Sequence, residues 1–203
     1  MLTHQYQENL RKNIWLSGPD ATFFAEYKAC KLQELLPNLV DKKIKILDFG
    51  CGDGLVSSFV KTIFADAQIY GVDTSPEHIE VAKLAYENIN FAVSDTNIPA
   101  SDNSFDLVFA AETFHHIELD KHEHYLQEIK RVLKSSGIFV LLELDPLFPV
   151  RPEFIEGAKL CDEQLLSSDY SKKLIEKYLS VVHVNFYDAQ FISGAIYVIL
   201  ATK

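Results

Sequence analysis

Apolar and polar positions along this chain change period in a regular order. Ile44 to Phe49 is an apolar run that stops at three glycines in alternate positions, Gly50, Gly52 and Gly54. Leu55, Val56, Phe59, Val60, Ile63 and Phe64 then recur at helical spacing, so the order is strand, tight turn, helix. Gln68 to Asp73 predicts a second strand. Thr74-Ser75-Pro76-Glu77 follows, an N-cap with an early proline and an acid in the first turn, opening a helix through Ile79, Val81, Ala82, Leu84 and Ala85. Asn90 to Val93 predicts a third strand, halted at Ser94-Asp95. A polar loop, 96–104, leads into Phe105–Ala111, whose nearly continuous apolar character is that of a strand buried on both faces. A helix through Leu126, Ile129, Val132 and Leu133 is expected to end in Lys130, Arg131, Lys134 and Gly137. Ile138 to Leu144 predicts a fifth strand.

The two ends of the chain read differently. Residues 3–12 are polar and helix-compatible, and Ser17-Gly18-Pro19-Asp20 is a breaker and N-cap cluster. A helix then runs through Phe23, Phe24, Tyr27, Leu32, Leu35 and Leu36 and ends near Pro37. Its rings, with Trp15, either pack on the outside of a sheet or form an N-terminal lid over a pocket, within residues 1–40. Residues 145–152 hold three prolines and predict an irregular excursion, part of an insert spanning 145–180. A helix over Tyr170 to Leu179 precedes two strands, 181–187 and 195–200, whose short link requires antiparallel pairing. Strands alternating with helices predict parallel βαβ units, right-handed crossovers and a doubly wound α/β sheet in a single domain, 1–203.

In such a sheet ligands lie beyond the carboxyl ends of the strands. Those ends carry Gly50, Asp73, Asp95 and Ala111-Glu112, so the chemistry gathers on one edge. The bare Gly turn and the helix start behind it suit an anionic group. A dinucleotide fingerprint, GxGxxG, would need a glycine where this chain has Leu55. Asp73 suits ribose hydroxyls in either case. Asp95, one strand further along, can accept a hydrogen bond from an exocyclic adenine amine, and Asp48 can help hold an α-amino group. The ligand that fits has a ribose, an adenine amine and an amino-acid end.

Charge narrows the partners. With 19 Lys and Arg against 29 Asp and Glu, the net charge of −10 disfavours nucleic acid and anionic membranes, and no apolar run is long enough to span a bilayer. Cys30, Cys51 and Cys161 lie far apart without a CxxC pair, so neither a disulfide framework nor a metal site is expected and the cytoplasm is the default location. His122 and His124, among Glu118, Asp120 and Glu123, read as a solvated helix start. Cys51 reads as structural.

Several stretches together resemble the class I S-adenosylmethionine-dependent methyltransferases: ILDFGCGDG (46–54), YGVDTSPEHIEVAK (70–83), Ser94-Asp95, SFDLVFAAETFHHI (104–117) and LKSSGIFVLLE (133–143). The resemblance implies a Rossmann-like, seven-stranded sheet in the order 3-2-1-4-5-7-6, the last strand antiparallel. It implies that Gly50 and Gly52 approach the methionine part and that Asp73 holds the ribose. Thr74 would lie beside the adenine, Asp95 would take its amine and the Thr96 N–H would approach the ring. Ala111 and Glu112 would lie near the amino end and the sulfonium. The cofactor would be S-adenosyl-L-methionine, leaving as S-adenosyl-L-homocysteine.

Methyl transfer by in-line displacement asks the protein mainly for alignment and exclusion of water. A base is needed only if the acceptor loses a proton, and the candidates are His115 and His116. The Asn/Asp-Pro-Pro-Tyr motif that some amino-methylating members carry after the fourth strand is replaced here by Ala-Glu-Thr-Phe, which points away from amine methylation on DNA and toward a small-molecule acceptor. Two other readings stay open from sequence: an NAD-dependent oxidoreductase, and a non-catalytic S-adenosylmethionine-binding protein.

Overall fold

The computed structural model describes residues 21–145, 166–189 and 194–203. Helix α1 (Ala21–Leu35) leads through a single 3-10 turn (Pro37–Leu39) into β1 (Lys45–Phe49), α2 (Leu55–Ile63), β2 (Gln68–Asp73), α3 (Pro76–Ala85) and β3 (Asn90–Val93). Then come β4 (Phe105–Ala111), α4 (His122–Val132), β5 (Leu133–Leu144), α5 (Ser168–Glu176), β6 (Ser180–Ala189) and β7 (Gly194–Thr202). The strands form one seven-stranded sheet in the order β3-β2-β1-β4-β5-β7-β6, as the resemblance implied. The β1–β2, β2–β3, β1–β4 and β4–β5 pairs are parallel, and β7 runs antiparallel to both β5 and β6.

Alternate residues of the central strands feed two cores. Leu47, Val108, Phe139, Leu141 and Tyr197 face Leu126, Ile129 and Val132 of α4 and Leu174 and Ile175 of α5. Ile46, Leu107, Phe109, Val140 and Val198 face Ala29 and Leu32 of α1, Val60 of α2 and Ile79 and Ala82 of α3. Both faces of β4 are therefore buried, which is why its sequence lacks polar alternation. Phe24 and Tyr27 pack against the second core, as the outside-of-sheet alternative for the aromatic helix expected; Trp15 lies outside the described residues.

Ser75 caps α3 by accepting from the His78 N–H at 3.2 Å. Ser167 does the same for α5 through the Tyr170 N–H, which starts that helix two residues before the expected Tyr170. One terminus departs from the sequence reading. The helix before β5 was expected to close at Gly137, but α4 stops at Val132. Buried Leu133 already pairs with Phe105 in the sheet, its backbone drawn into extended conformation. Lys134 clamps Asp106 at 2.7 and 2.8 Å beside it. Gly137 is consequently a strand residue, outside the left-handed region.

Phe109 fills the centre of the second core with no exposed surface. Phe109→Ala is expected to lower unfolding free energy by about 3–5 kcal/mol, read as a lower urea midpoint at unchanged slope.

Candidate active site

β1 ends against its neighbours in a turn that leaves no room on one side and open space on the other. The Gly50 and Cys51 N–H groups both donate to the Val72 carbonyl, at 2.8 and 2.9 Å, closing the β1–β2 ladder. Gly50 has φ +79°, and a Cβ there would come within 2.1 Å of Thr113 Cγ2. Gly52 has φ +53°, yet a Cβ on it would meet nothing within 4 Å. Its N–H instead donates to Asp73 Oδ2 at 2.9 Å, so the turn is tied to the end of β2 and its bare face is left to the cavity.

That cavity, about 1000 Å³ among the described residues, sits on the carboxyl edge of β1 to β4. Gly50, Gly52, Asp73, Thr74, Asp95, Thr96, Glu112 and His116 all line it, while Asp48, Ala111 and His115 do not. Asp73 accepts the Ser75 N–H at 2.9 Å as well as that of Gly52, and His78 Nδ1 stands 3.7 Å from Oδ1. Burial works to raise the Asp73 carboxyl, but these three donors outweigh it and hold it below its ordinary value. Helix α4 fixes the loop after β3: Tyr125 donates to the Asp95 carbonyl and His124 Nε2 to the Thr96 carbonyl, both at 2.7 Å. Asp95 and Thr96 are thereby presented with their backbone oxygens occupied from behind.

The exit of β4 is organised by a residue that sequence reasoning passed over. Glu143, buried near the end of β5, accepts the Thr113 and Phe114 N–H groups on Oε1 at 2.9 and 2.7 Å. Its Oε2 pairs with His115 Nδ1 at 2.7 Å. The signal was available: Glu143 is the lone acid in the apolar run 138–144. To bring those groups together the chain reverses at Glu112, which takes φ +55°, rare for a residue with a side chain. Of the two candidate bases, His115 is thus spent on Glu143, and His116 alone reaches the cavity.

Glu112 has a second unforeseen partner, Lys28 of α1, at 2.6 Å. Burial acts to raise Glu112, but the Lys28 ammonium, aided by His115 and His116, holds the carboxyl below its usual range. His116 is shifted down, first by loss of hydration between the cavity walls and then by His115 beside it, against Glu143 and Glu112. His122 corrects the expectation of a solvated helix start. It is fully buried, with Nε2 facing the Phe114 and Ile117 carbonyls at 3.0 and 2.9 Å and Nδ1 facing the Tyr170 hydroxyl at 3.2 Å. Two carbonyls on one nitrogen require it to carry the proton, so the ring holds the 114–117 wall against α5. His124 remains exposed.

Comparison with known proteins gives a consistent picture. Residues 47–141 match the family model described as methyltransferase domain. The chain is 35% identical over 103 residues to the demethylmenaquinone methyltransferase of Thermotoga maritima, a match covering 50% of this chain and 44% of that protein. It is 32% identical over 108 residues to a ubiquinone biosynthesis O-methyltransferase of Pelagibacter ubique, covering 51% of this chain and 43% of the relative. Each of these matches thus spans somewhat less than half the relative's length. Among solved structures, a SAM-dependent methyltransferase from Methanosarcina mazei superposes with a TM-score of 0.69 at 17% identity, over 83% of this chain and 96% of that one.

Asp48 stands apart from the cavity residues. It is 1% exposed, behind the turn, and accepts a 2.6 Å hydrogen bond from the Ser57 hydroxyl of α2. Burial, reinforced by Asp73 and opposed by Ser57 and Lys28, pushes its carboxyl up to about 7. The folded protein therefore binds this proton more tightly than the unfolded chain, and the associated stability is full below the unfolded value near 4 and lost as pH rises through 7. Asp48→Asn, which keeps an acceptor for Ser57, is expected to flatten that decline. Urea midpoints of wild type and variant between pH 4 and 7.5 check it, the two curves diverging at the upper end by at most about 4 kcal/mol.

Proposed function

We propose that this chain, whose residues 47–141 match the methyltransferase-domain family model, is a class I S-adenosylmethionine-dependent methyltransferase that moves the methyl group of S-adenosylmethionine to a small-molecule acceptor. The observation that carries this reading is the shared cavity of Gly52, Asp73 and Asp95. Gly52 leaves open space where a ligand's own atoms can touch the backbone. The ionised Asp73 carboxylate keeps acceptor capacity toward a ribose diol beyond the two N–H groups it already takes. The exposed Asp95 carboxylate offers an acceptor to the adenine amine, with Thr74 and Thr96 flanking the ring. The cavity volume matches an adenosyl amino acid with space for a partner.

Bound there, S-adenosylmethionine supplies a methyl group on a positively charged sulfur, an activated leaving group. The protein's contribution is orientation and dryness: rigid strand ends fix one side, and the Glu143-held wall with His116 and Ile117 fixes the other. His116, held in its neutral form by its lowered pKa, is placed to take a proton from a hydroxyl acceptor. A small acceptor is supported by the relatives, whose names place them in menaquinone and ubiquinone chemistry. The net charge of −10 supports the same reading and works against a nucleic-acid substrate. The whole chain is read as one methyltransferase domain. α1 packs on the second core, and α5 closes the 145–180 insert, whose residues 146–165 lie outside the described ones.

Titration calorimetry with S-adenosylhomocysteine tests the cofactor. Binding is expected for the wild type, a loss of roughly 10- to 100-fold for Asp73→Ala, and no binding of NADH. Tight NADH binding without affinity for the adenosyl sulfur compound would sink the reading. For His116, the ring resonances followed by NMR should show it neutral down to pH values below an ordinary histidine's 6.5. With a phenolic acceptor, His116→Asn should lower kcat/KM by about 10²- to 10⁴-fold; a rate unchanged by that variant removes His116 from the chemistry.

A further inference from the structure

Residues 94–104 carry the chain from the edge strand β3 across β2 and β1 to β4, with no helix of their own. Asp95, Thr96 and Asn97 are exposed, so water could serve their backbone groups. Side chains of α4 serve much of this loop instead. Tyr125 and His124 donate to the Asp95 and Thr96 carbonyls, and Glu128 Oε2 accepts the Ile98 N–H at 3.0 Å. Arg131 follows on the same helix, and each of the five N–H groups of its guanidinium is placed. Nη1 donates to the Ala100 carbonyl at 2.8 Å and to Asp102 Oδ1 at 2.9 Å, and Nη2 to the Ile98 carbonyl at 2.9 Å. Nε and Nη2 also grip the two oxygens of Glu128, both at 2.8 Å. The Arg131 carbonyl accepts the Asn103 N–H at 3.0 Å, where the loop takes a left-handed φ of +54°. Tying exposed backbone to a long side chain costs rotamer entropy, and part-exposed ion pairs return little stability. What the arrangement secures is the shape of the loop.

That shape matters at one end. Ser94 is tied to β2 by its N–H on the Asp73 carbonyl at 2.9 Å, and Ile98 is tied to α4 through both of its backbone groups. Asp95, Thr96 and Asn97 bridge these two fixed points. Asp95 and Thr96 line the cavity, whereas Arg131 does not. We infer that Arg131 is a positioning residue for base recognition: by fixing the loop to α4 it sets where Asp95 and Thr96 meet the purine, and thereby sets the preference for adenine. This rests on reading the cavity as an S-adenosylmethionine site. Adenine offers an amine to the Asp95 carboxylate and a bare ring nitrogen to the Thr96 N–H. Hypoxanthine offers the reverse at both places, a carbonyl oxygen and a ring N–H. A fixed loop leaves both mismatches unrelieved, which is how a polar site rejects an analogue. A loop released from α4 can turn away and let water meet either base. Lysine would be a poor substitute, since a point-charge ammonium cannot reproduce the planar fork that holds Glu128 and the loop together.

The test compares S-adenosylhomocysteine with S-inosylhomocysteine by calorimetry, on the wild type, on Arg131→Met and on a control. The control is Lys134→Met, which removes another ion pair of this region, that to Asp106 at the start of β4, without touching the loop. The wild type and the control are expected to bind the adenosyl ligand tighter than the inosyl one by roughly 10- to 100-fold. Arg131→Met is expected to cut that ratio by about fivefold or more, through weaker adenosyl binding, with inosyl binding within about twofold of wild type. Inosyl binding also reports that the variant is folded. Should Arg131→Met fail to fold, Arg131→Lys, which keeps the charge beside Glu128 and loses the fork, is read by the same ratio. Equal weakening of both ligands, or of neither, overturns the positioning role, and so does a ratio that falls as far in the control. A wild type that binds both ligands alike overturns it as well, because the loop then reads no base. A wild type that binds neither overturns the cofactor reading itself, a different result from a loop that fails to discriminate in a protein that binds both.

Discussion

A buried carboxylate has to be met by donors, and Glu143 is where this fold spends that requirement. It lies at the end of β5 with 1% of its surface exposed, and no alkali side chain reaches it among the hydrogen bonds of the described residues. Two consecutive backbone N–H groups and one imidazole satisfy it instead. Leaving any of them out would cost on the order of 1–3 kcal/mol in an interior with no water to substitute. The chain after β4 is therefore bent until Thr113, Phe114 and His115 converge on one side chain. The left-handed backbone of Glu112 is the visible consequence.

From that bend the rest of the wall follows. Thr113 is driven against Gly50 and donates to the Phe49 carbonyl at 3.1 Å, so the β1 and β4 exits lock together and position 50 has no space for a side chain. Phe114 turns inward, where the buried His122 Nε2–H donates to its carbonyl, and His116 turns outward to the cavity. Helix α5, though it follows the insert in sequence, joins the same network through Tyr170 on His122. The 112–117 wall is thus held by hydrogen bonds that converge on two buried side chains, while the wall formed by the ends of β1 to β3 is held by the regular spacing of parallel strands.

That division decides what could be read in advance. The sheet order and the positions of Gly50, Gly52, Asp73 and Asp95 were legible because each sits where a hydrophobic run stops, and a strand end is a local event. Lys28 was not legible, since its meaning depends on a contact across 84 residues and its neighbourhood in sequence is an ordinary amphipathic helix. His122 reads as solvated because Glu118, Asp120 and Glu123 surround it in sequence, whereas α4 turns this position inward beneath Phe114. Gly137 reads as a helix stop because a glycine after basic residues usually marks one. The ladder to Phe105 had already claimed the backbone four residues earlier.

The edge is rich in acids, and their unequal titration has a use. Asp73 and Glu112 are held ionised, each by its own donors, while burial keeps Asp48 protonated up to about pH 7 behind them. One unit charge about 6 Å from another at an effective dielectric constant of about 20 is worth roughly 3 kcal/mol. On the proposed reading, carboxylates on the cavity side therefore favour the ligand while its sulfur is cationic, and that attraction lapses once the charge has left with the methyl group. A fully ionised Asp48 would deepen the negative potential without touching the ligand, and would repel Asp73 from a neighbouring strand. Its proton confines the field to the groups that face the cavity. Lys28 balances one of them, at 2.6 Å from Glu112, so the few charges at this edge are set by partners on separate elements of the fold.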